Sequence, residues 1–577
     1  MKSLLLIILL ALIIQAALFS QNWQQASMSD DFTMQVKIVS PPQNVPLVKN
    51  TMTQMTGFPI AVTGNASFKN MRNVVLADLD GDLKQDIIFA ADNKLYAYSS
   101  QGLLWQKQLT GTGIYPPSVA DINNDGFLEI VQLTGGVPAN GRVFVLDKDG
   151  NNLTGWPVSF TNNWMICAPA LADLNNDSIL EIICCERSSS TTGRIHVLNN
   201  DGTPFSANWP VTIDGVPAVT PSVGDVDNDG EMEIVAYSTK SKYILQITGQ
   251  PETGFPITTE PEQKYSYQSP IIANLNNDNQ CEIIGSTHGD VPQFYVMTNN
   301  GSDFGNWPMT VPDSSWTYSP PTVVKIDGAW KIFMSRPIGS EVDDMLYGWD
   351  ATGNLLPGYP IVKSGGLEGY ISVADINNDS YFELVFGANM LDTEGNGFIY
   401  AYDSETGLPV SGFPIQPRGW TFMNGISIGD VNGDDQMDLV ALTYTNSFGA
   451  NTDTVYINVY EMNSLYTPEN VLWGTYKGSN DRRGFAGNSS SNVSLADWNS
   501  INVYPNPGNG LFNIEIPATM NVNGVTIELY NLMGVLQFSA SVNESITQLD
   551  LSRYSSGVYM LKIRDGNKTA TNRVVKL

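Results

Sequence analysis

Acidic and amide side chains recur at a fixed spacing in seven short segments of this 577-residue chain. Each segment has an oxygen-bearing side chain at its first, third, fifth and ninth positions. In chain order these residues are Asp78, Asp80, Asp82 and Asp86; Asp121, Asn123, Asp125 and Glu129; Asp173, Asn175, Asp177 and Glu181; Asp225, Asp227, Asp229 and Glu233; Asn274, Asn276, Asp278 and Glu282; Asp375, Asn377, Asp379 and Glu383; and Asp430, Asn432, Asp434 and Asp438. Oxygen ligands at alternate positions of a tight loop can surround one hard cation at about 2.3–2.6 Å. The spacing therefore predicts seven Ca²⁺ sites, in which the seventh position contributes only its backbone carbonyl.

Turn propensity is the alternative explanation, because Asp and Asn favour turns in proteins that bind no metal. Propensity alone predicts one or two such residues per turn, whereas four stand at the same offsets in all seven segments. Several carboxylates in one loop also repel one another unless a cation neutralises them. The pattern therefore favours metal binding. The fifth segment, with only Asp278 and Glu282 as carboxylates, is predicted to bind most weakly.

The seven segments belong to a longer internal repeat with a period of 43 to 55 residues. A shortened relative that lacks most of the polar residues begins at Val324, between the fifth and the sixth acidic segments. An aromatic residue followed by proline recurs in step with the segments, and Trp105 stands where one such pair is missing. These pairs are Phe58–Pro59, Trp156–Pro157, Trp209–Pro210, Phe255–Pro256, Trp307–Pro308, Tyr359–Pro360 and Phe413–Pro414. Two markers with one period indicate a repeated structural unit.

Each unit is predicted to form four short strands without helical periodicity. In the second unit these strands are Pro117–Asp121, Glu129–Leu133, Arg142–Leu146 and an outer strand at Trp156–Val158. A proline suits the outer strand because it cannot donate a hydrogen bond to a neighbouring strand. Four-stranded units of about 50 residues that repeat radially are the blades of a β-propeller.

The predicted fold is therefore all-β, with an eight-bladed β-propeller at residues 51–486. Seven blades remain the alternative if the shortened unit at Val324 is not a blade. An extra strand at Gly57–Val62 precedes the first full unit. We expect this strand to pair with the last blade, which would close the ring and remove an exposed sheet edge.

The repeats, such as ADLDGDLKQDIIF from Ala77 and ADINNDGFLEIVQ from Ala120, resemble the FG-GAP/VCBS family. That family includes the calcium-loop blades of integrin α-chain propellers and of many bacterial surface proteins. The resemblance implies that the metal loops pin the blade hairpins and lie away from the ligand face. It identifies a scaffold and leaves the ligand open.

A change of composition marks the C-terminal part of the chain. Residues 487–497 form a linker rich in Gly, Asn and Ser, and residues 498–577 alternate short strands with Gly and Pro turns, which predicts a small β-sandwich. The YPNP start and the GVYMLKI stretch resemble the type IX secretion sorting domain of Bacteroidetes. This resemblance implies export by the type IX secretion machinery, with removal of the domain and surface attachment as frequent consequences.

The first twenty residues have the layout of a secretory signal peptide. Lys2 precedes the apolar run Leu4–Ile14, and small residues lead to a cleavage site after Ser20. Residues 21–50 are polar and unpatterned and receive no assignment. No later segment is apolar enough to cross a membrane, so no transmembrane segment is expected after signal removal. The protein is predicted to be secreted or held at the outer cell surface.

The charge and cysteine content narrow the classes of partner and site. The formal net charge of −29 repels nucleic acid and anionic lipid, so no nucleic-acid partner is expected. Cys167, Cys184, Cys185 and Cys281 have no zinc-site spacing. They are interpreted as buried free thiols, with a bridge from Cys167 to one of the vicinal pair as the alternative.

An aromatic residue recurs just before the innermost strand of several units, on the face opposite the metal loops. The candidates are Tyr115, Trp164, Tyr267, Trp316, Tyr370 and Trp420. Arranged around a channel, such rings could stack on sugars or pack on peptides. The alternative is that they pack between blades.

Three classes of function are compatible with this pattern. The favoured one is a calcium-stabilised module for adhesion or for binding an extracellular glycan or protein ligand. The alternative is an extracellular polysaccharide lyase of the rhamnogalacturonan-lyase type, and a purely structural spacer is the third option. Uronate elimination needs a base and positive charge. The candidate face offers little positive charge beyond Lys264 and Arg418, so an enzyme is the less favoured interpretation.

Overall fold

The chain divides into two compact units, Met1–Gly487 and Asn488–Leu577. A computed structural model describes residues 22–28, 34–41, 52, 54–136, 140–165, 167–217, 219–259, 262–265, 268–312, 318–336, 344–362, 366–367, 369–445, 453–467, 469–486, 502–515, 525–531, 536–542, 546–565 and 568–577. The predicted signal peptide and linker lie outside these residues. Regular structure in the described residues is β-strand, with a short 3-10 helix at Tyr476–Gly478. No helix there has the length and apolar character that crossing a membrane requires.

Eight sheets, six with four strands and two with five, make up most of the described first unit, and they are numbered here in chain order. Sheets 1 to 4 contain Val75–Ala77, Asp86–Ala91, Lys94–Ser99 and Gly102–Gln108; Ser118–Ala120, Glu129–Thr134, Asn140–Leu146 and Val158–Thr161; Ala170–Ala172, Glu181–Arg187, Thr192–Leu198 and Val211–Asp214; and Ser222–Gly224, Glu233–Tyr237, Ser241–Gln246 and Ile257–Thr258. Sheet 3 has the extra short strand Trp164–Met165.

In sheet 5 the strand Phe485–Ala486 is added beside the innermost strand, and in sheet 7 Val471–Trp473 pairs with the innermost strand and does not form an outer fourth strand. Sheets 5 to 8 otherwise repeat this order. They contain Ile271–Ala273, Glu282–Ser286, Gln293–Met297 and Met309–Thr310; Thr322–Ile326, Ala329–Ser335, Asp344–Asp350 and Ile361–Val362; Ser372–Ala374, Glu383–Phe386, Tyr400–Asp403 and Val471–Trp473; and Ser427–Gly429, Gln436–Tyr444, Asp453–Leu465 and Ile60–Gly64. The strand Ile60–Gly64 pairs with Asp453–Leu465, which confirms the expected return of the N-terminal strand to the last unit.

Burial within each sheet follows the position of the strand. In sheet 1 the strand Asp86–Ala91 is buried along its whole length, whereas the outer strand Gly102–Gln108 alternates between half-buried and exposed residues. Strands that are covered on both faces need continuous apolar runs, and outer strands need only one apolar face. The apolar runs after each acidic segment therefore become the second strands of their sheets.

The innermost strands lie side by side and close on themselves. Val75–Ala77 of sheet 1 contacts both Ser118–Ala120 of sheet 2 and Ser427–Gly429 of sheet 8. Inner-strand hydroxyls reinforce these contacts, and Ser427 Oγ donates to the Val74 carbonyl at 2.8 Å across the closure. Radially arranged sheets that close in this way form a β-propeller. The number of blades in the ring stays a prediction.

The repeated aromatic residues fasten neighbouring sheets at their outer edges. Trp105 Nε1 donates to the Lys148 carbonyl at 2.8 Å, from sheet 1 to a turn of sheet 2. The same bond joins Trp156 to Asn200, Trp209 to Ile247, and Trp307 to Ala351. Trp105 thus makes the same contact between neighbouring sheets as the tryptophans of the aromatic–proline pairs.

Residues 470–486 line the centre of the ring, which the sequence did not predict. Their backbone carbonyls accept hydrogen bonds from the innermost strands of one sheet after another. These bonds run from Asp375 to Asn470, Ile428 to Gly474, Val119 to Asn480, Leu171 to Asp481, Val223 to Arg483 and Ile272 to Gly484. Tyr476, Lys477 and Arg482 are buried within this lining. The segment therefore ties together inner strands that share no sheet.

Two further features depart from simple repetition. The hairpin Trp23–Met28 and Met34–Val39, in the segment left unassigned by sequence, pairs with Met390–Leu391. In sheet 6 a tight turn at Asp327 and Gly328, both with positive φ, replaces the acidic loop. The shortened unit is therefore a complete sheet that has lost only its metal-loop sequence.

The second unit is a small β-sandwich, as the sequence predicts. One sheet contains Asn502–Tyr504, Leu511–Glu515 and Ile546–Asp550, and the other contains Leu536–Ser541, Val525–Asn531, Gly557–Asp565 and Lys568–Lys576. Phe512 and Leu549 from the first sheet pack with Ile527 and Leu561 from the second. This apolar layer holds the two sheets together.

The four cysteines of the chain are buried free thiols. The backbone N–H of Cys185 lies 3.2 Å from the sulfur of Cys167. Burial raises the pKa of the Cys184 thiol well above its usual range. The free-thiol interpretation is the one that the structure supports.

Candidate metal centres

Each acidic segment forms the loop between the innermost and the second strand of its sheet. In sheet 2, Ala120 pairs with Glu129, so the first and the ninth loop positions are brought next to each other. The same pairing joins Ala77 to Asp86 and Gly224 to Glu233. Because the two strands pair at this residue, the closing carboxylate lies at the base of the loop in every copy.

The loop backbone turns through two left-handed residues in each copy, at the fourth and the sixth positions. The fourth position is Gly81, Asn124, Asn176, Asn228, Asn277, Asn378 or Gly433, and each has a positive φ. Gly and Asn adopt this region most readily, which explains the recurring Asn-Asp and Gly-Asp pairs in the sequence. In this conformation, successive backbone N–H groups of the loop point toward the acidic and amide side chains of the same loop.

The first loop position organises the turn. In the second loop, Asp121 accepts hydrogen bonds from the N–H of Asp125 at 3.1 Å and of Gly126 at 2.8 Å. Asn123 Oδ1 also accepts from the Asp125 N–H, at 2.9 Å. Asp173, Asp225, Asp375 and Asp430 make equivalent bonds in their own loops. The predicted ligand side chains therefore converge inside the turn.

In two loops the carboxylates meet closely enough to share one ion. One carboxylate oxygen from each of Asp78, Asp80 and Asp82 lies within 4.8 Å of the others, and Asp225, Asp227 and Asp229 repeat this arrangement. Three negative charges at this spacing repel one another strongly unless a cation lies between them.

The ninth position carries a buried carboxylate in all seven loops, none of them more than 5% exposed. Its side chain accepts the N–H of the second loop residue, for example Ile122 to Glu129 at 2.9 Å. Burial, reinforced by the other loop carboxylates, raises the pKa of Glu129 to about 7 and of Glu233 to about 8. A buried carboxylate that resists ionisation is the group that a bound cation would stabilise in its charged form.

The fifth loop differs at its first position, where Asn274 replaces Asp. Asn274 Oδ1 is buried and has no hydrogen-bond partner. A buried acceptor without a partner costs free energy unless something binds it. The donor set of the fifth loop, with this oxygen, Asn276, Asp278 and Glu282, therefore fits a cation as well, with less charge than the other six.

The predicted ligand-binding aromatics divide into three groups. Tyr115, Tyr370 and Trp420 are at most 5% exposed, and the Tyr370 ring packs beside Tyr476 of the central segment. Tyr267 and Trp316 lie outside the described residues. Trp164 is only partly buried. Burial supports the packing alternative for the first three and leaves Trp164 as the described candidate for contact with a ligand.

One positive charge that the sequence interpretation of this face did not include lies over Trp164. Trp164 pairs with Arg187 at the end of the strand remote from the metal loop. The Arg187 guanidinium lies 5.3 Å from the centroid of the Trp164 ring. Arg194 pairs with Glu186 on the next strand. The sequence analysis missed both arginines, which would have emerged from pairing the hairpin strands on either side of the Ser/Thr turn.

A buried carboxylate–imidazole pair lies on the opposite face of the same sheet, because Glu186 and Arg187 are consecutive residues of one strand. Glu186 Oε2 is 2.7 Å from His196 Nε2 and 3.5 Å from Arg194 Nη1, and Oε1 accepts a hydrogen bond from Asn163 Nδ2. Burial opposes ionisation of Glu186, but the bonds from His196 and Asn163 and the nearby charges outweigh it and lower its pKa.

Known proteins show similarity to parts of this chain. Residues 78–132 match the family described as FG-GAP-like repeat, and residues 502–577 match the family described as secretion system C-terminal sorting domain. A funoran endo-beta-hydrolase from Wenyingzhuangia aestuarii is 30% identical over 99 residues, which are 17% of this chain and 13% of that protein. The chain thus matches only a small part of that relative's length.

Two solved structures illustrate the structural likeness. The biofilm matrix protein Bap1 of V. cholerae is 15% identical, with a TM-score of 0.46 over 75% of this chain and 93% of that chain. PorZ of Porphyromonas gingivalis, a surface component of the type IX secretion system, is 11% identical, with a TM-score of 0.26 over 95% of this chain and 77% of that chain.

The sorting domain indicates that the protein is secreted or displayed at the cell surface and that the secretion machinery acts on it. The geometry of the loops agrees with the repeat match, since residues 78–132 contain the first two acidic loops. The chain is therefore an extracellular β-rich protein that combines FG-GAP-like repeat sequence with a type IX secretion C-terminal sorting domain.

Proposed function

We propose that the first unit is a calcium-stabilised β-propeller that binds a glycan or protein ligand outside the cell. The observation that carries the calcium part is the buried ninth-position carboxylate, present in all seven loops and held by the N–H of the second loop residue. A turn that needs no metal has no reason to bury a carboxylate beside one to three others. Turn chemistry alone does not account for this arrangement.

The residues that would hold Ca²⁺ are the side chains at the first, third, fifth and ninth positions and the backbone carbonyl at the seventh. The ion would supply positive charge that neutralises the loop carboxylates, and it would take no part in a reaction. Because each loop joins the two innermost strands of its sheet, neutralising it stabilises the centre of the ring. Extracellular sites of this kind bind Ca²⁺ at about 10⁻⁴–10⁻³ M, which suits a structural role.

The binding part of the proposal is supported by location and architecture. The sorting domain takes the chain out of the cell, and a rigid ring of sheets presents its loops and strand ends to solvent. The described part of the central channel is lined by residues 470–486, so the ligand surface is expected on an outer face of the ring. Attachment at the cell surface after sorting is part of the same proposal.

A glycan array probed with the calcium-loaded full chain tests the binding function. The expected result is retention on a defined group of glycans, with loss of that retention in the W164A variant. W330A is the matched control, because Lys325 lies over the Trp330 ring at 5.5 Å, beside the turn that replaces the acidic loop in sheet 6. Absence of binding to both glycans and extracellular proteins would leave the spacer alternative.

A polysaccharide-cleaving enzyme is the second candidate. It is supported by the 99-residue match to a funoran hydrolase. Incubation with pectic polysaccharides, monitored for absorbance of unsaturated products and for new reducing ends, separates a lyase from a hydrolase. An inactive protein that still binds the polymer supports the binding module.

A further inference from the structure

The N-terminal hairpin ends in a strand edge that no other described strand covers. Trp23–Met28 lies between Met34–Val39 and Met390–Leu391, so Met34–Val39 is the outermost strand of this three-stranded sheet. Packing fixes the hairpin on the first unit, because Trp23 stacks on Phe398 with ring centroids 5.5 Å apart. An outer strand held in this way presents a row of backbone donors and acceptors.

Alternate backbone groups of Met34–Val39 point away from the hairpin. The Ala26 N–H donates to the Asn389 carbonyl at 2.8 Å, and the Ala26 carbonyl accepts from Asn389 Nδ2 at 2.8 Å. Both polar groups of Ala26 therefore point away from the outer strand, and its cross-strand partner Val36 receives no bond from them. Because bonding alternates along an antiparallel pair, the N–H and C=O groups of Val36 and Ile38 face outward.

This edge lacks the features that protect the outer strands of the eight sheets. Sheets 2 to 8 each have an aromatic–proline pair at their outer edge, and proline removes a backbone donor. Sheet 1 has no such pair, but a register shift interrupts its outer strand Gly102–Gln108. Met34–Val39 pairs with Trp23–Met28 without a shift and contains no proline. The edge is therefore regular over 6 residues, a length of about 20 Å.

The side chains of the outer strand restrict what can pair with it. Val36 and Ile38 lie on one face and Lys37 lies on the other, because side chains alternate along a strand. Ile38 is 62% exposed, Lys37 is exposed and Val36 is partly buried. An added strand would meet an apolar surface on one face of the sheet and a positive charge on the other. Apolar pairs and opposite-charge pairs across strands both stabilise a sheet.

The size and charge of the edge favour a peptide segment over a second copy of this chain. Stable interfaces between folded proteins bury about 1,200–2,000 Å² in total, which is more than one short strand supplies. Two copies would also bring together chains that each have a formal net charge of −29. An extended segment needs only main-chain bonds and a few side-chain contacts to bind such an edge. Because Met34–Val39 contains Lys37 and no acidic residue, a carboxylate opposite Lys37 complements it.

We propose that Met34–Val39 is a docking site for an extended segment of a partner protein, which adds to this sheet as a fourth strand. The segment has apolar side chains opposite Val36 and Ile38 and an acidic side chain opposite Lys37. This inference rests on the protein-binding part of the proposed function and names its surface and its ligand class. It requires neither calcium nor a glycan.

Fluorescence anisotropy with the calcium-loaded full chain and labelled peptides tests the docking site. The probe is a peptide of about seven residues in which one Glu stands between two Val residues and Thr residues extend both ends. The control peptide has the same sequence with N-methyl groups on the two Val residues, which removes the donors that would face the edge. We expect the control to bind at least about fivefold more weakly than the probe. Equal affinities, or no binding of the probe at millimolar concentration, would overturn the inference.

Substitutions in the outer strand then locate the site. A proline at position 38 is compatible with the hairpin, because the Ile38 N–H does not bond to Trp23–Met28. I38P is therefore expected to weaken probe binding at least about fivefold while the melting temperature stays that of the wild type. I38A keeps the N–H and is the matched control, with a smaller loss of affinity. If I38P does not fold, the comparison of the two peptides still decides.

A charge exchange at Lys37 tests the acidic character of the segment. K37E is expected to weaken binding of the probe a few-fold and to strengthen binding of a peptide with Lys in place of Glu by a similar factor. The two effects have opposite signs, which a general loss of structure would not produce. Unchanged affinities for both peptides would show that charge does not select the ligand.

Two further outcomes separate this inference from the proposed function. The sedimentation coefficient is expected to be the same for the wild type and I38P. A wild-type dimer that I38P abolishes would assign the edge to a second copy and overturn the proposed ligand. If an extracellular protein binds the wild type and I38P equally well, the inference fails while the protein-binding function stands.

Discussion

Gln85 Oε1 accepts a hydrogen bond from the backbone N–H of Asp430 at 3.0 Å, which joins the first acidic loop to the last. The Gln85 N–H donates to the Asp430 carbonyl at 2.9 Å, and Gln85 Nε2 donates to Tyr466 at 3.1 Å. The neighbouring residue is Gly429, and a Cβ there would lie 1.9 Å from Gln85 Oε1. The ring thus closes through a side chain that needs a glycine opposite it.

Replacing Gln85 with Ala is expected to lower the free energy of unfolding by about 1–3 kcal/mol, because two hydrogen bonds at the closure are lost. Urea denaturation followed by fluorescence measures the change. Q101A, at an exposed turn, should have no measurable effect. A Q85A midpoint equal to that of the wild type would show that the closure does not depend on this side chain.

The buried ion pair of Lys69 and Asp453 is a second link between the start and the end of the ring. Both side chains are 1% exposed. Because K69M leaves the Asp453 carboxylate buried without its cation, we expect a loss of about 3–5 kcal/mol. K148M is the matched control, since Lys148 and Asp149 are 37% and 65% exposed and such pairs contribute about 0–1 kcal/mol. Similar losses for both variants would contradict the assignment.

The outer tryptophans are expected to contribute through their indole N–H groups as well as through packing. W105F removes the bond to the Lys148 carbonyl and should cost about 0.5–1.5 kcal/mol beyond any change in packing. Trp330 offers the comparison, because its buried Nε1 has no partner among the described residues. W330F is therefore expected to be neutral or stabilising. Equal destabilisation by both changes would mean that the bond contributes nothing.

The pH dependence of the metal-free protein follows from the ninth-position carboxylates. Burial raises their pKa from the ordinary 3.8 or 4.5 to about 7 or 8 in the fold. The folded state then binds more protons than the unfolded state, so stability is highest below about pH 4.5 and falls as the pH rises through 7 to 8. With chelator present, the melting temperature should drop between pH 5 and 8.

Calcium should largely abolish this drop, since a bound cation favours the ionised carboxylates. The same melting series in millimolar calcium is the control. A chelated protein whose melting temperature is constant or rises over this range would show that these carboxylates do not oppose folding when metal-free.

The repeat allowed much of the fold to be predicted. The strands expected for the second repeat, which forms sheet 2, lie within about two residues of those observed. Apolar runs and fixed turns are local properties, which is why they could be predicted. The Val324 unit lost its acidic pattern but kept its strands, since packing between sheets requires only the apolar positions. The positions of the oxygen-bearing residues within each loop could likewise be read from the repeated sequence.

Apart from the return of the strand Ile60–Gly64 to the last sheet, long-range contacts could not be predicted. Residues 470–486 have no repeat signature, and they reach the inner strands through backbone hydrogen bonds that impose no side-chain pattern. Tyr476 of the same lining packs beside Tyr370, a residue that its position before the innermost strand had placed on an open face. The partnership of Trp164 with Arg187 depends on the extra strand Trp164–Met165, which is too short to recognise from periodicity.

Calcium stoichiometry tests the central claim most directly. The full chain is dialysed to equilibrium in millimolar calcium, analysed for bound metal, and melted with and without chelator. The account predicts about seven calcium ions per chain, with the fifth loop losing its ion first, and a large fall in melting temperature on chelation. A protein that holds no calcium and melts at the same temperature in chelator would contradict it.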